Sequence, residues 1–154
     1  MEIERVTLPE QAYIYVERTT QMGPQIADAM GSGFGEIYSF TEQKGIQRLA
    51  MPMAVYVDMP QDNQMTMRLG FFVSVADAEK AEGAVKSAVI TAGDAVKAVH
   101  VGPYSSLNET HQAVWGHFAT LGAKHAMPVW EIYVDDPTTM PEAEVKTQVF
   151  RKIG

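Results

Sequence analysis

Met127-Pro128-Val129-Trp130-Glu131-Ile132-Tyr133-Val134-Asp135-Asp136-Pro137 repeats, with one change of character, an earlier segment of the same chain, Met51-Pro52-Met53-Ala54-Val55-Tyr56-Val57-Asp58-Met59-Pro60. A second landmark is duplicated in the same order and at a similar separation, Met22-Gly23-Pro24 returning as Val101-Gly102-Pro103. A repeated unit constrains architecture more strongly than local propensity does. Around the landmarks each half reads as a strand hairpin, a Gly-Pro turn, an amphipathic helix and two further strands. The expected fold is therefore α+β: a single domain over 1–154 built from duplicated ββαββ units, the first spanning 1–75 and the second 84–154. Two such units predict a curved antiparallel sheet with two main helices on one face and a ligand pocket on the other.

In the first half, Glu2–Leu8 and Ala12–Arg18 alternate like the strands of a hairpin about Pro9-Glu10, and Ile26, Met30, Phe34 and Ile37 recur at helical spacing. Gly31, Gly33 and Gly35 interrupt that helix. Each costs roughly 1 kcal/mol relative to Ala in a helix interior, so either the helix breaks there or a neighbouring backbone comes close. Their spacing lacks the lysine of a phosphate loop and the third glycine of a dinucleotide fingerprint. In the second half, Ala84–Thr91 and Ala95–Val101 form the hairpin about Gly93-Asp94. Ser106-Leu107-Asn108-Glu109 has capping-box form, and Leu107, His111, Val114, Phe118 and Leu121 make the buried stripe of a helix that Gly122 ends. Val129–Val134 and Val145–Phe150 are the closing strands, and Ala76–Gly83 joins the halves as a short helix or a solvated connector.

Composition narrows the function classes. The chain has 154 residues, 46% apolar and 20% charged, which suits one globular core and excludes disorder. No stretch approaches the roughly 20 apolar residues that span a bilayer, and Met1–Glu10 shows no secretory signal pattern, so the expected location is cytoplasmic, with no membrane partner. The absence of cysteine removes disulfides, thiolate metal sites and a cysteine nucleophile. A net charge of −7 repels DNA phosphates, which argues against direct nucleic acid binding. His111 and His117 are six residues apart and point in different directions on a helix, so no metal and no cofactor is expected. His111 reads as a core-facing residue with one local hydrogen bond, His100 as a strand residue facing a helix, and Trp115 as packing.

The repeat breaks at one place. Alignment sets Glu131 opposite Ala54, a carboxylate in an apolar strand where its counterpart is alanine. Desolvating an ion costs several kcal/mol, so the protein must pair Glu131, raise its pKa or present it to a ligand. The bland alternative is that Glu131 lies on an exposed sheet face or pairs with an arginine or lysine such as Arg68 or Lys146. Strand alternation puts Glu131 and Tyr133 on one face, with Trp130, Ile132 and Val134 on the other. Tyr56, by repeat equivalence, and Tyr13 or Tyr15 are further aromatics able to line the face of Glu131, and tyrosines around a carboxylate favour lipophilic cations. Trp130 joins the candidate set if a bulge after Pro128 turns it inward.

The run Val101-Gly102-Pro103-Tyr104 before a helix, followed by Pro128-Val129-Trp130-Glu131-Ile132-Tyr133 and Asp136-Pro137, resembles the GyrI-like small-molecule-binding domain, which is also the effector-binding module of AraC- and MerR-type multidrug regulators. The resemblance covers nearly the whole chain. It implies a pocket whose buried Glu, here Glu131, attracts drug-like cations, with Tyr104 and Tyr133 as the aromatics beside it. No helix-turn-helix segment precedes the first strand, so a stand-alone binder is expected. Some stand-alone members are similar to hydrolases that open strained cyclopropane rings of DNA-alkylating natural products.

Three functions follow as expectations. The first is binding of lipophilic, cationic or electrophilic small molecules by Glu131, Tyr133, Tyr104, Tyr56, Tyr15 and Trp130. The second is cofactor-independent hydrolysis, with Glu131 as general base and Tyr133 or Tyr104 donating to the developing anion. The third, which the family name carries, is an interaction module that inhibits gyrase through acidic runs such as Asp135-Asp136 and Glu142–Glu144. A homodimer is compatible with all three.

Overall fold

A computed structural model of the chain describes residues 2–154. In chain order the elements are β1 (Ile3–Leu8), β2 (Gln11–Gln21), α1 (Gln25–Lys44), β3 (Met53–Tyr56), β4 (Gln64–Phe72), the single-turn α2 (Val75–Ala78), β5 (Lys86–Ile90), β6 (Gly93–Val101), α3 (Leu107–Leu121), β7 (His125–Tyr133) and β8 (Lys146–Ile153). Short 3-10 turns occupy Tyr104–Ser106 and Glu142–Glu144. Among the described residues no helix is long and apolar enough to cross a membrane. The chain forms two compact units: Glu10–Thr91, and the stretch ending at Pro9 together with Ala92–Gly154.

In the unit Glu10–Thr91 the strands run β3-β4-β2-β5, all antiparallel. Val16 pairs with Leu69 in register, and both point toward α1. Arg18, two residues along, reaches Ser32 Oγ at 3.2 Å and Glu36 Oε1 at 2.6 Å on that helix. The three glycines do not break α1, which runs unbroken for 20 residues. Gly33 is the one that matters, because a Cβ there would overlap the Leu69 side chain, whereas Gly31 and Gly35 face open space. The close neighbour is thus a side chain, not the backbone expected from the sequence. The link between the repeats begins as the short helix α2, started by Ser74 Oγ, which accepts from the Asp77 backbone N–H at 3.1 Å, and continues through turns to Gly83.

In the second unit the order is β1-β6-β8-β7, again antiparallel. Helix α3 packs on β6 and β8 through a core of Val96, Ala98, Val114, Phe118 and Val149. Full burial of each large apolar side chain contributes about 1.5–3 kcal/mol, which is what fixes α3 to this face. Gly122, in a left-handed conformation, ends α3 as its position in the sequence indicates.

Both expected hairpins need correction. The strands exist, but β1 pairs with β6, Ile3 opposite Ala98 through Leu8 opposite Gly93, while β2 pairs with β4 and β5. Gly93 and Asp94 are not a turn; they begin β6, where Asp94 accepts from Arg5 Nε and Thr7 Oγ1, both at 2.8 Å. Alternation identifies a strand but fits any antiparallel neighbour, and Pro9-Glu10 has neither residue of the positive-φ pairs that close two-residue hairpins. The sequence repeats, 1–75 and 84–154, and the compact units therefore cut the chain at different places.

Gly70 is the tightest backbone approach in the first unit: a Cβ there would overlap the Ile14 carbonyl oxygen, which cannot move without parting β2 from β4. Gly70→Ala is expected to lower stability by about 3 kcal/mol, whereas Gly35→Ala in open space should raise it by about 0.5–1 kcal/mol. Thermal or urea unfolding of the two variants checks both signs.

Candidate functional site

Strand β7 carries the exception in the repeat. Glu131 stands opposite Val149 of β8, and because Val149 belongs to the core beneath α3, the carboxylate projects onto the α3 face. There it meets the helix directly. His111 Nε2 lies 2.5 Å from Glu131 Oε2, and the Tyr133 hydroxyl donates to Glu131 Oε1 at 2.6 Å. Facing a carboxylate oxygen, His111 Nε2 is the donor. Glu131 is only 5% exposed, so these charge-assisted bonds replace the water it has lost. The pocket expected on the helix-free face is thus not where this side chain points.

Tyr133 is held on its other side by Tyr104, ring centroids 5.5 Å apart and inclined at 63°. Tyr104 sits on the 3-10 turn after β6 and is 40% exposed, which makes it the solvent edge of the cluster. Burial, then the nearby carboxylates of Asp136, Asp135 and Glu131, push its phenol above the ordinary tyrosine range, so the hydroxyl stays a donor. The turn is fastened from below by buried His100. Its Nδ1 contacts Thr110 Oγ1 of α3 at 2.7 Å, and its Nε2 contacts the Pro103 carbonyl at 3.0 Å and Ser106 Oγ at 3.1 Å. His100 does face a helix, as its place in a strand indicated. Ser106 does not close the expected capping box: its hydroxyl donates to the Pro103 carbonyl at 2.9 Å.

The remaining candidates lie elsewhere. A register shift between Ala126 and Val129 does follow the cis Met127-Pro128 bond, but it leaves Trp130 on the opposite face from Glu131. Trp130 is 1% exposed and stacks on Phe150 at 5.0 Å, which is a core role and corrects its assignment to the site. Tyr15 and Tyr56 belong to the other unit. Tyr56 follows Ala54, which pairs with Leu69, so alternation puts it on the α1 face; Tyr15 alternates with Val16 and takes the opposite face, correcting their shared placement. There Tyr15 packs on Tyr13, and Arg68 lies 4.6 Å over its ring while donating to the Tyr13 hydroxyl at 3.0 Å. The partners of Glu131 found in its own unit are a histidine and a tyrosine rather than the cation expected in the bland reading.

His111 is the partner of Glu131 that the sequence places on the core face without pointing to the carboxylate. Its place on the buried stripe of α3 was legible, and a polar ring aimed at a sheet that holds a buried carboxylate is the natural complement of that carboxylate. A cavity of about 90 Å³ adjoins Tyr104, lined also by Pro103, Ser105, Pro137, Glu142 and Val145. It has room for a few waters and lies far below the roughly 300 Å³ at which ligand pockets begin. Among the described residues no cluster of three or more His, Asp or Glu could hold a metal ion.

No curated protein matches the chain. The model of the GyrI-like small molecule binding domain matches residues 1–153, and the chain belongs to that family. Among solved structures, the C-terminal domain of EcmrR superposes with a TM-score of 0.82 at 18% identity, covering 99% of this chain and 97% of that one. EcmrR in its DNA complex gives 0.80 at 18% identity, with 99% of this chain covered; the match spans 57% of that longer protein. SAV2435 bound to tetraphenylphosphonium gives 0.67 at 15% identity over 100% and 94% of the two chains. A hydrolase encoded by lin2189 from Listeria innocua gives 0.66 at 19% identity over 99% and 92%. At these identities the likeness establishes the fold.

Two outcomes follow from the cluster. Tyr133→Phe removes one donor from a buried carboxylate and should cost about 1.5–3 kcal/mol in chemical unfolding. Asp135→Asn with Asp136→Asn removes two of the charges that hold the Tyr104 phenol neutral, so its ionisation should move to lower pH in an ultraviolet titration, assigned with Tyr104→Phe.

Proposed function

We propose that this chain binds lipophilic aromatic cations, with Glu131 as the counter-charge and Tyr133 and Tyr104 as the ring surfaces. The observation that carries the reading is a carboxylate 5% exposed in mid-strand, ordered by the Tyr133 hydroxyl and the His111 ring. Ordering in advance lowers the cost of binding, and a desolvated carboxylate attracts a weakly hydrated organic cation more strongly than it attracts a hydrated metal ion. SAV2435, a relative in fold, is seen with tetraphenylphosphonium, a guest of this chemistry. The family's defining property, small-molecule binding, agrees with it.

Hydrolysis is the second reading, favoured by the hydroxyl donor 2.6 Å from the carboxylate and by the fold-level likeness to the lin2189 hydrolase. A general base needs a carboxylate oxygen turned toward water in the guest-bound state. Both oxygens of Glu131 already accept protein bonds, which suits a fixed charge better than a proton acceptor. Of the acidic runs proposed for a gyrase partner, Asp135-Asp136 is engaged locally: Asp135 Oδ2 accepts from the Lys146 backbone N–H at 3.0 Å and Asp136 Oδ1 from Thr138 Oγ1 at 2.7 Å.

Calorimetric titration with tetraphenylphosphonium and with neutral triphenylphosphine oxide separates charge from shape. Glu131→Gln should weaken the cation at least tenfold, about 1.4 kcal/mol, and leave the neutral compound within about threefold. Equal loss for both, or no loss for the cation, contradicts the reading. Recovery of a strained electrophile unchanged after incubation with the wild type counts for binding, and its turnover by wild type but not by Glu131→Gln counts for hydrolysis.

A further inference from the structure

Arg151 of β8 is only 6% exposed, yet no ion pair among the described residues uses it. Its Nε and Nη1 are buried with no hydrogen-bond partner among those residues. The contrast with the other arginines is sharp. Arg5, Arg18 and Arg48, all more exposed, each hold a carboxylate, and Arg68, whose Nε is likewise orphaned, still donates Nη1 to the Tyr13 hydroxyl. Carboxylates are not scarce, with 19 Asp and Glu against 12 Lys and Arg. Around Arg151 the sheet offers only Val129 and Val96 in register, and its guanidinium lies 4.7 Å over the ring of Trp115. Burial pulls the guanidinium below its usual range, a sign that the charge is held at a cost. One cation–π contact returns less than the desolvation of an unpaired guanidinium takes away.

The position of this charge is as telling as its isolation. Val129 pairs with Arg151 and Glu131 with Val149, so Glu131 and Arg151 occupy diagonal sites on one face of the β7–β8 pair, roughly 7–8 Å apart at the backbone. Helix α3 repeats the arrangement above them: His111 lies on Glu131, and Trp115, four residues and about 6 Å further along the helix, lies on Arg151. Trp115 is 46% exposed and packs at a tilt against His125, ring centroids 4.0 Å apart, so the arginine sits beneath a ring at the solvent boundary. A negative pole and a positive pole therefore run side by side along one edge of one helix.

We propose that Arg151 is an anion-recognising pole of the Glu131 site, so that the preferred guests are amphoteric: a cationic aromatic body bearing a carboxylate. The proposal rests on Glu131 as the cation pole. A carboxylate can accept in bidentate fashion from either edge of the Arg151 guanidinium, Nη2 with Nε or Nη2 with Nη1, and so supply a partner to one of the two orphaned nitrogens. The spacing required between the guest's two charges follows from these separations and is roughly 6–8 Å.

A rhodamine in its free-acid form and the same dye as its methyl ester share one cationic ring system and differ only in the carboxylate. Fluorescence anisotropy with both probes reads the two poles separately. The wild type should bind the acid at least tenfold tighter than the ester. Arg151→Met should abolish that preference while holding ester affinity within about threefold, a change of less than 0.7 kcal/mol. Should Arg151→Met fail to fold, Arg151→Lys decides, since it keeps the charge but not the fork and should lose most of the preference. Equal affinity for acid and ester in the wild type, or a preference that survives the substitution, overturns the proposal and assigns the guanidinium to water and packing. Ester binding in Glu131→Gln tests the cation pole independently: if it is unchanged, the underlying reading of Glu131 fails, whatever Arg151 does.

Discussion

A carboxylate withdrawn from water in the middle of a strand is the constraint around which the second unit is arranged. A histidine from α3 and a tyrosine two residues along β7 supply donors to the two oxygens of Glu131 and make its burial tolerable. Each partner is in turn held by structure that also serves the fold. Helix α3 is set by its apolar stripe on β6 and β8, which brings His111 over β7, and Tyr133 is braced by Tyr104 from a turn that His100 ties to Thr110. The apolar core and the polar cluster are thus one construction: the same helix that buries Val114 and Phe118 delivers the donor.

Duplication explains how such a site can arise in a small domain. The segment at Met51–Pro60 keeps the strand and its apolar character with Ala54 where the later copy has Glu131. One copy can then serve as pure scaffold while its equivalent carries a charge, with no change in the hydrophobic alternation that fixes strand register. Arg151 follows the same logic. A buried charge on β8, without a carboxylate of its own, is a departure from good packing that makes sense where the missing partner is a guest.

Much of this was legible from residue order. The strands and both main helices follow from periodicity, Gly122 from its position as a stop, and the phase of Trp130 relative to Glu131 from simple alternation. What alternation does not encode is partner choice, which is why β1 and β5 pair with strands other than those beside them in sequence. Local polar chemistry misled at Ser106, where a nearby histidine and carbonyl compete for the hydroxyl better than the helix amides do. The three glycines of α1 read as a break because propensity counts the missing side chains but not the Leu69 methyl that fills the space at Gly33. His111 was missed for the opposite reason. A histidine on an apolar stripe looks like tolerated core until the carboxylate facing it is placed.

The central claim is that Glu131 meets the positive centre of the guest, and anomalous diffraction from crystals grown with tetraphenylarsonium tests it most directly. The arsenic peak should fall beside the Glu131 carboxylate and within roughly 6 Å of the Tyr104 or Tyr133 ring centroid, the range of a cation–π contact. A single well-occupied arsenic far from this residue, with the carboxylate still clasped between His111 and Tyr133, would contradict it.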